Sequence, residues 1–192
     1  PSAFEQFLDR NQKNLVILSI AIALGVAGFI IYQGVVVSKE RSAGASFCRA
    51  EDLPSLQNVI KEFGGTAAAG TAAIALADRQ WTEGQQATAI DTLKSFIDAN
   101  PKHPARTAAK ASLASKYKEQ GKTAEATALF LELTDGTDNA YVAPYACIAL
   151  GDMAKAAGDT AKAESFYQKS KTVLLNNAFA RIGDERLGTV KT

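Results

Sequence analysis

Gly84, Gly121 and Gly158 each lie 37 residues from the next, and each separates a small-residue segment from an apolar segment of helical periodicity. The clearest copy runs from Gly70 to Pro101, GTAAIALADRQWTEGQQATAIDTLKSFIDANP. A fixed period of this length is the mark of stacked helical hairpins, because one hairpin cannot bury its own apolar face and must lean on the next. The composition agrees. Hydrophobic residues make up 47% of the 192, much of that is Ala, and there are only 5 Pro. Ala gives up no side-chain entropy in a helix, so such a chain favours helix throughout. The fold class expected is all-α.

A second feature divides the chain. Leu15–Val37, LVILSIAIALGVAGFIIYQGVVV, is an uncharged apolar run of 23 residues. A helix needs about 20 such residues to cross a bilayer core, and it satisfies every backbone group internally as it does so. A signal-peptide apolar region is shorter, typically about 7–15 residues, so the run reads as a retained span contacting lipid. Ahead of it Phe4, Phe7 and Leu8 share one helical face, as in an amphipathic helix lying at the headgroups. Ala21, Gly25 and Gly28 form a small-residue stripe on which another span can pack. The expected organisation is a juxtamembrane segment at 1–14, the span at 15–37, and a connecting helix with a degenerate first hairpin at 38–65. The repeats follow at 66–175, and a capping helix with a tail at 176–192.

The connecting region carries Asp52 as a helix N-cap with Pro54 in the first turn. Leu56, Val59, Ile60 and Phe63 then follow at helical spacing, and Gly64 and Gly65 end the helix. In the first full hairpin Ile74, Leu76, Ala77 and Trp81 precede Gly84, and Ala89, Ile90, Leu93, Phe96 and Ile97 follow it. Asn100-Pro101 stops the second helix. Leu113, Ala114 and Tyr117, then Ala126, Leu129, Phe130 and Leu133, flank Gly121. Leu150, Gly151 and Ala154, then Ala163, Phe166 and Tyr167, flank Gly158. Ala or Gly lets two helices approach, and a Leu or aromatic residue a turn later fills the remaining groove. At the end of the chain Phe179, Ile182 and Leu187 fall on one face, as a terminal helix covering the last repeat requires.

Little in the chain points to chemistry. The 21 basic and 20 acidic residues leave a net charge of +1, without the basic excess that phosphate backbones demand, so nucleic acid is not an expected partner. The single His, His103, sits in an Asn-Pro-Lys-His-Pro turn and reads as an exposed loop residue. Cys48 and Cys147 show no metal-ligand spacing, and either a disulfide or two free thiols fits them. The acidic pairs Glu51-Asp52 and Asp184-Glu185 are adjacent, so on a helix they point apart and read as solvated faces. No glycine-rich phosphate loop occurs. The expectation is a non-enzyme with no cofactor, no metal and no small-molecule substrate, whose partners are other proteins.

The units resemble tetratricopeptide repeats. The resemblance rests on Leu76-Ala77, Gly84, Ala89, Leu93 and Pro101, then on Leu113-Ala114, Tyr117, Gly121, Ala126 and Phe130. The third unit adds Leu150-Gly151, Gly158, Ala163 and Tyr167. The departures are the missing early Trp and a period longer than the family's, which is about 34; the surplus is expected in the loops Lys102–Arg106 and Asp135–Ala143. The resemblance implies an α-solenoid of three to four hairpins whose first helices line a concave groove. Its partner-facing residues are Ile74, Asp78 and Trp81, then Ala111, Ser115 and Lys118, then Ile148, Asp152 and Lys155. Ile74, Ala111 and Ile148 stand where carboxylate-gripping members carry Lys, so that mode of binding is not expected. Trp81 serves either as an exposed anchor or as packing between hairpins.

The whole plan is similar to the YfgM-like ancillary proteins of the Sec translocon, through Phe7-Leu8 and Asn11 before the span and Gly64-Gly65-Thr66 leading into the repeats. That resemblance implies a single-pass protein of a bacterial inner membrane with its repeats in the periplasm, acting as a scaffold or chaperone adaptor near secretion. The flanking cations, Arg10 and Lys13 against Lys39, Arg41 and Arg49, lean the other way by one residue, but long domains translocate largely regardless of flanking charge. A structural accessory subunit of a membrane complex and a cytoplasm-facing regulatory module are the alternatives.

Overall fold

The 37-residue period of the sequence is also the period at which helices begin. The computed structural model describes residues 3–135, 139–174 and 178–190, and side-chain surroundings from Arg10 onward. It comprises α1 (Ala3–Cys48), α2 (Leu53–Glu62), α3 (Ala67–Thr82), α4 (Gln86–Ala99), α5 (Arg106–Glu119), α6 (Thr123–Glu132), α7 (Ala143–Ala156), α8 (Thr160–Thr172) and α9 (Ala180–Val190). There is no strand among the described residues. Helices α4, α6 and α8 start 37 residues apart, and so do α5, α7 and α9. The terminal helix is therefore more than a cover: it stands in register as the first helix of a further unit. The side chains of Phe4, Phe7 and Leu8, expected to share a face, lie outside the described residues.

Each hairpin turns on a glycine for the same backbone reason. Gly84, Gly121 and Gly158 have φ of 82°, 73° and 80°, the left-handed region in which an L side chain is strained. The N–H of each bonds back to the carbonyl three residues earlier, on Trp81, Lys118 and Lys155, at 3.0 Å. The residue after each glycine reaches back five: Gln85 to Gln80 at 2.8 Å, Lys122 to Tyr117 at 2.9 Å and Asp159 to Ala154 at 2.9 Å. This pair of bonds is the Schellman motif, which satisfies carbonyls orphaned at a helix end.

Packing follows the same register. Leu93, Phe130 and Tyr167, 37 residues apart, are fully buried, as are Ala89, Ala126 and Ala163. On the facing helices Ala77 and Ala114 are fully buried, and the third unit has Gly151 in their place. That exchange compensates for size. A Cβ at Gly151 would run into the Tyr167 ring, so the largest of the three wedge residues faces the smallest partner. A further small position, Ala72, Ala109 and Ala146, is fully buried, and Gly183 of α9 continues it, with Ser170 Oγ 2.6 Å from where a Cβ would stand. Each buried large side chain contributes about 1.5–3 kcal/mol of transfer free energy.

At the other end α1 runs unbroken through the apolar segment and onto the first helices of the repeat stack. Among the described residues it is the one helix long and apolar enough to cross a membrane, with a mean hydropathy of 2.6 in its best window and none of that window buried. Past Val37, Ala43 is fully buried and Phe47 packs on a cluster of Leu56, Val59, Ala72 and Leu76. Asp52 caps α2 in a reciprocal pair with Ser55: the Ser55 N–H donates to Asp52 Oδ1 at 2.8 Å and the Asp52 N–H to Ser55 Oγ at 3.1 Å.

His103 corrects the expectation of an exposed loop residue. Its Nδ1 accepts from the Ala105 N–H at 3.0 Å, so Nε2 carries the proton and donates to the Thr66 carbonyl at 2.8 Å. The ring meets Phe96 edge-on at 5.1 Å and fills the space where Gly70 has no Cβ. It ties the loop after α4 to the start of α3. Both cysteines are free: Cys48 is exposed and Cys147 buried. Burial pushes the Cys147 thiol up to about 11.

Candidate functional site

The residues expected to face a groove lie on α3, α5 and α7, in the same register. The structure shows what each is bonded to. Asp78 accepts from Ser112 at 3.2 Å and pairs with Lys116, whose side chain is almost wholly buried. The Lys116 ammonium lies 5.4 Å from the centroid of the Trp81 ring, and Trp81 Nε1 donates to Glu119 at 2.8 Å. Trp81 is half-buried and packs with Ile74 on the core of the first hairpin. Ala111 is buried. Ser115 shares a 2.6 Å hydrogen bond with the Tyr145 hydroxyl of α7. These side chains stitch each first helix to the next one along the stack, a role that sequence spacing alone does not separate from partner contact.

In the third unit the next helix is α9, and it takes the same seam. Asp152 accepts from the Tyr167 phenol at 2.8 Å and pairs with Arg186 at 3.0 Å. Lys155 donates to the Thr189 carbonyl at 3.1 Å and to its hydroxyl at 3.0 Å. Ile148 is buried in a cluster with Phe179, Ile182, Leu187 and Val190 packed against it. Burial, the hydrogen bond to Asp152 and that carboxylate's charge all hold the Tyr167 phenol well above the usual tyrosine range. Lys118 remains exposed and lines a recess of about 360 Å³ with Thr123, Asp152, Met153 and Ala156.

A separate opening lies between α2 and α4, with α3 as its floor. A cleft of about 510 Å³ there is lined by Ile60, Ala73, Leu76 and Phe96, with Gln57, Lys61, Asp91 and Ser95 among the polar residues around it. The register explains it. Position 92 recurs at 129 and 166, where the chain has Leu129 and Phe166. Leu129 bridges two core clusters, and Phe166 packs on the second. The first unit has Thr92 instead, too short to reach α2, with its hydroxyl donating to the buried Gln80 Oε1 at 2.8 Å. The cleft is thus a place in the repeat pattern where a large apolar side chain is missing. Sequence reasoning passed over it; the signal was a polar residue where two other units carry Leu and Phe.

Among the described residues no group of three or more His, Cys, Asp or Glu is placed to hold a metal ion. The arrangement offers surfaces for protein contact: a cleft of apolar walls and polar rim, and a stitched row of first helices. A search of curated proteins finds no match to the chain. A family model described as a tetratricopeptide repeat-like domain matches residues 5–187, nearly the whole length and every turn described above, and the chain belongs to that family.

Proposed function

We propose that the chain is a membrane-anchored protein–protein interaction scaffold of the cell envelope, held by Leu15–Val37 and working as a chaperone adaptor or ancillary subunit near the secretion machinery. The observation that carries the binding part is the cleft at Thr92. Its equivalents are filled from within by Leu129 and Phe166, so its complement is one aliphatic or aromatic side chain presented by a partner segment. Ile74, Asp78, Trp81, Ser115 and Lys118 contribute a second contact face along the first helices. Ile148, Asp152 and Lys155 join that face only if α9 lifts. The resemblance to YfgM-like proteins supports a bacterial inner membrane and a periplasmic domain.

The test is photo-crosslinking in the native membrane from Ser95, on the cleft, with Gln168, on the exposed side of α8, as control. A discrete partner captured at Ser95, absent at Gln168 and lost in a Thr92→Leu protein, is the expected result. Equal capture at both positions, or capture untouched by Thr92→Leu, overturns the cleft. Co-purification with translocon subunits at native expression tests the secretion role, and their absence removes it. Labelling of the exposed Cys48 by an impermeant thiol reagent in intact cells and spheroplasts reads the side on which the repeats lie.

A structural-subunit reading draws on α1, where Gly25 and Gly28 have open space around them, as a close helix–helix contact needs. Replacing the span with an unrelated apolar helix then destroys assembly; retained assembly excludes that reading.

A further inference from the structure

A recess lies where α1 passes the corner between α2 and α3. Its volume is about 520 Å³, and it is lined by Ile31, Gly34, Val35, Ser38, Lys39, Ser42 and Phe63. The walls change character along α1. Toward the soluble domain they are Ser42, Lys39 and Ser38; toward the span they are Val35, Gly34 and Ile31. That is the order of a bilayer leaflet, headgroup first and acyl chain after. Gly34 has open space where a Cβ would stand, which gives the recess its depth. Ile31 and Val35 are 67% and 62% exposed, so the apolar wall is continuous with the bare surface of Leu15–Val37.

The corner is fixed in place. Lys39 Nζ donates to the Gly64 carbonyl at 3.0 Å, and the Ala67 N–H donates to the Glu40 carboxylate at 3.2 and 3.3 Å. Ala43, one turn on, is fully buried. These contacts leave no loose tether between the span and the repeats, since α1 is one helix across the boundary. Ile31 lies six residues before Val37, about 9 Å along a helix axis. A run of this length exceeds a hydrocarbon core of about 30 Å by only a few ångströms. Ile31 therefore falls below the headgroup boundary once the helix spans, while the Lys39–Gly64 bond, two residues past Val37, keeps the α2–α3 corner at that boundary.

We infer that the α2–α3 corner is a second membrane contact: Phe63, Gly64 and Gly65 rest in the headgroup layer, and the recess takes a phospholipid acyl chain against Phe63, Ile31 and Val35, with Lys39 level with the phosphate. The inference rests on the reading of Leu15–Val37 as a span. The contact sets the orientation of the solenoid relative to the membrane, and with it the direction in which the α2–α4 cleft opens.

The full chain is reconstituted in vesicles of phosphatidylethanolamine and phosphatidylglycerol in a Trp81→Phe background, which removes the single native Trp. Phe63→Trp then reports depth through quenching by lipids brominated near the headgroup or near the chain end. Gly64→Trp is the second reporter. A Cβ there meets nothing closer than the Ile60 carbonyl at 3.5 Å and the residue is exposed, so the backbone accepts a side chain at this position. Ile22→Trp reports on the span. The expected result is that both corner reporters shift to the blue and lose most of their emission to shallow bromines and little to deep ones, while Ile22→Trp is quenched by deep bromines. Unquenched, water-like emission from both corner reporters beside a deeply quenched Ile22→Trp overturns the inference and leaves the span standing. An unquenched Ile22→Trp overturns the span and the inference with it.

Discussion

The Tyr167 phenol donates to Asp152 Oδ1 at 2.8 Å across the last hairpin, above a backbone that only Gly151 could supply. The same carboxylate receives Arg186 from α9 at 3.0 Å. One aspartate thus joins both helices of the third hairpin to the unit that follows. Tyr167→Phe is expected to cost about 1.5–3 kcal/mol, the worth of a hydrogen bond to a charged acceptor, read by urea denaturation. The phenol is held neutral in the fold, its ionisation displaced upward by burial first and by Asp152 second. In the unfolded chain it ionises near pH 10. Its contribution is therefore complete below that pH and declines as pH rises further, and the Tyr167→Phe protein is expected to lack that part of the alkaline loss.

Glycines at different points of the stack should respond to alanine with opposite signs. Gly151→Ala drives a methyl into the Tyr167 ring and is expected to destabilise by about 1–3 kcal/mol. Gly188, in α9, has open space at its Cβ, and Gly188→Ala is expected to stabilise by about 0.5–1 kcal/mol through helix propensity alone. Thermal melts of the two proteins check the contrast.

The Gln80–Thr92 pair is the polar substitute for what other units build from apolar residues, Tyr117 with Leu129 and Ala154 with Phe166. Thr92→Leu alone is expected to change stability by less than about 1 kcal/mol, since added burial is offset by the orphaned Gln80 amide oxygen. Replacing both, Gln80→Leu with Thr92→Leu, is expected to stabilise by about 1–2 kcal/mol, because no buried polar group is then left unpaired. A double-mutant cycle in urea measures the coupling.

The two thiols should separate cleanly. Cys147 is fully buried, and a thiol raised to about 11 is roughly 0.01% thiolate at pH 7. Cys48 is exposed at the end of α1. With maleimide the native protein is expected to label once, at Cys48, and a second time only in denaturant. Mass spectrometry of the labelled protein counts the additions.

Much of this architecture is written in one dimension. The glycine period places the turns because φ near +80° excludes most side chains. The Ala, Leu and Phe periodicity places the buried faces because a helix repeats every 3.6 residues. Phe179, Ile182 and Leu187 announce a final helix, and the long uncharged run is legible as apolar surface before any folding is considered. The tertiary structure decided what local patterns do not encode, namely which neighbour each face meets. Asp78, Ser115 and Asp152 recur every 37 residues, with Lys155 one turn after Asp152, whether they face a partner or the next repeat, and packing shows them bonded to the next repeat. His103 reads as a loop residue until the chain returns beside Gly70 and Thr66. The vacancy at Thr92 exists only because α2 and α4 come side by side over Ala73 and Leu76, a distance fixed by stacking and by no residue alone.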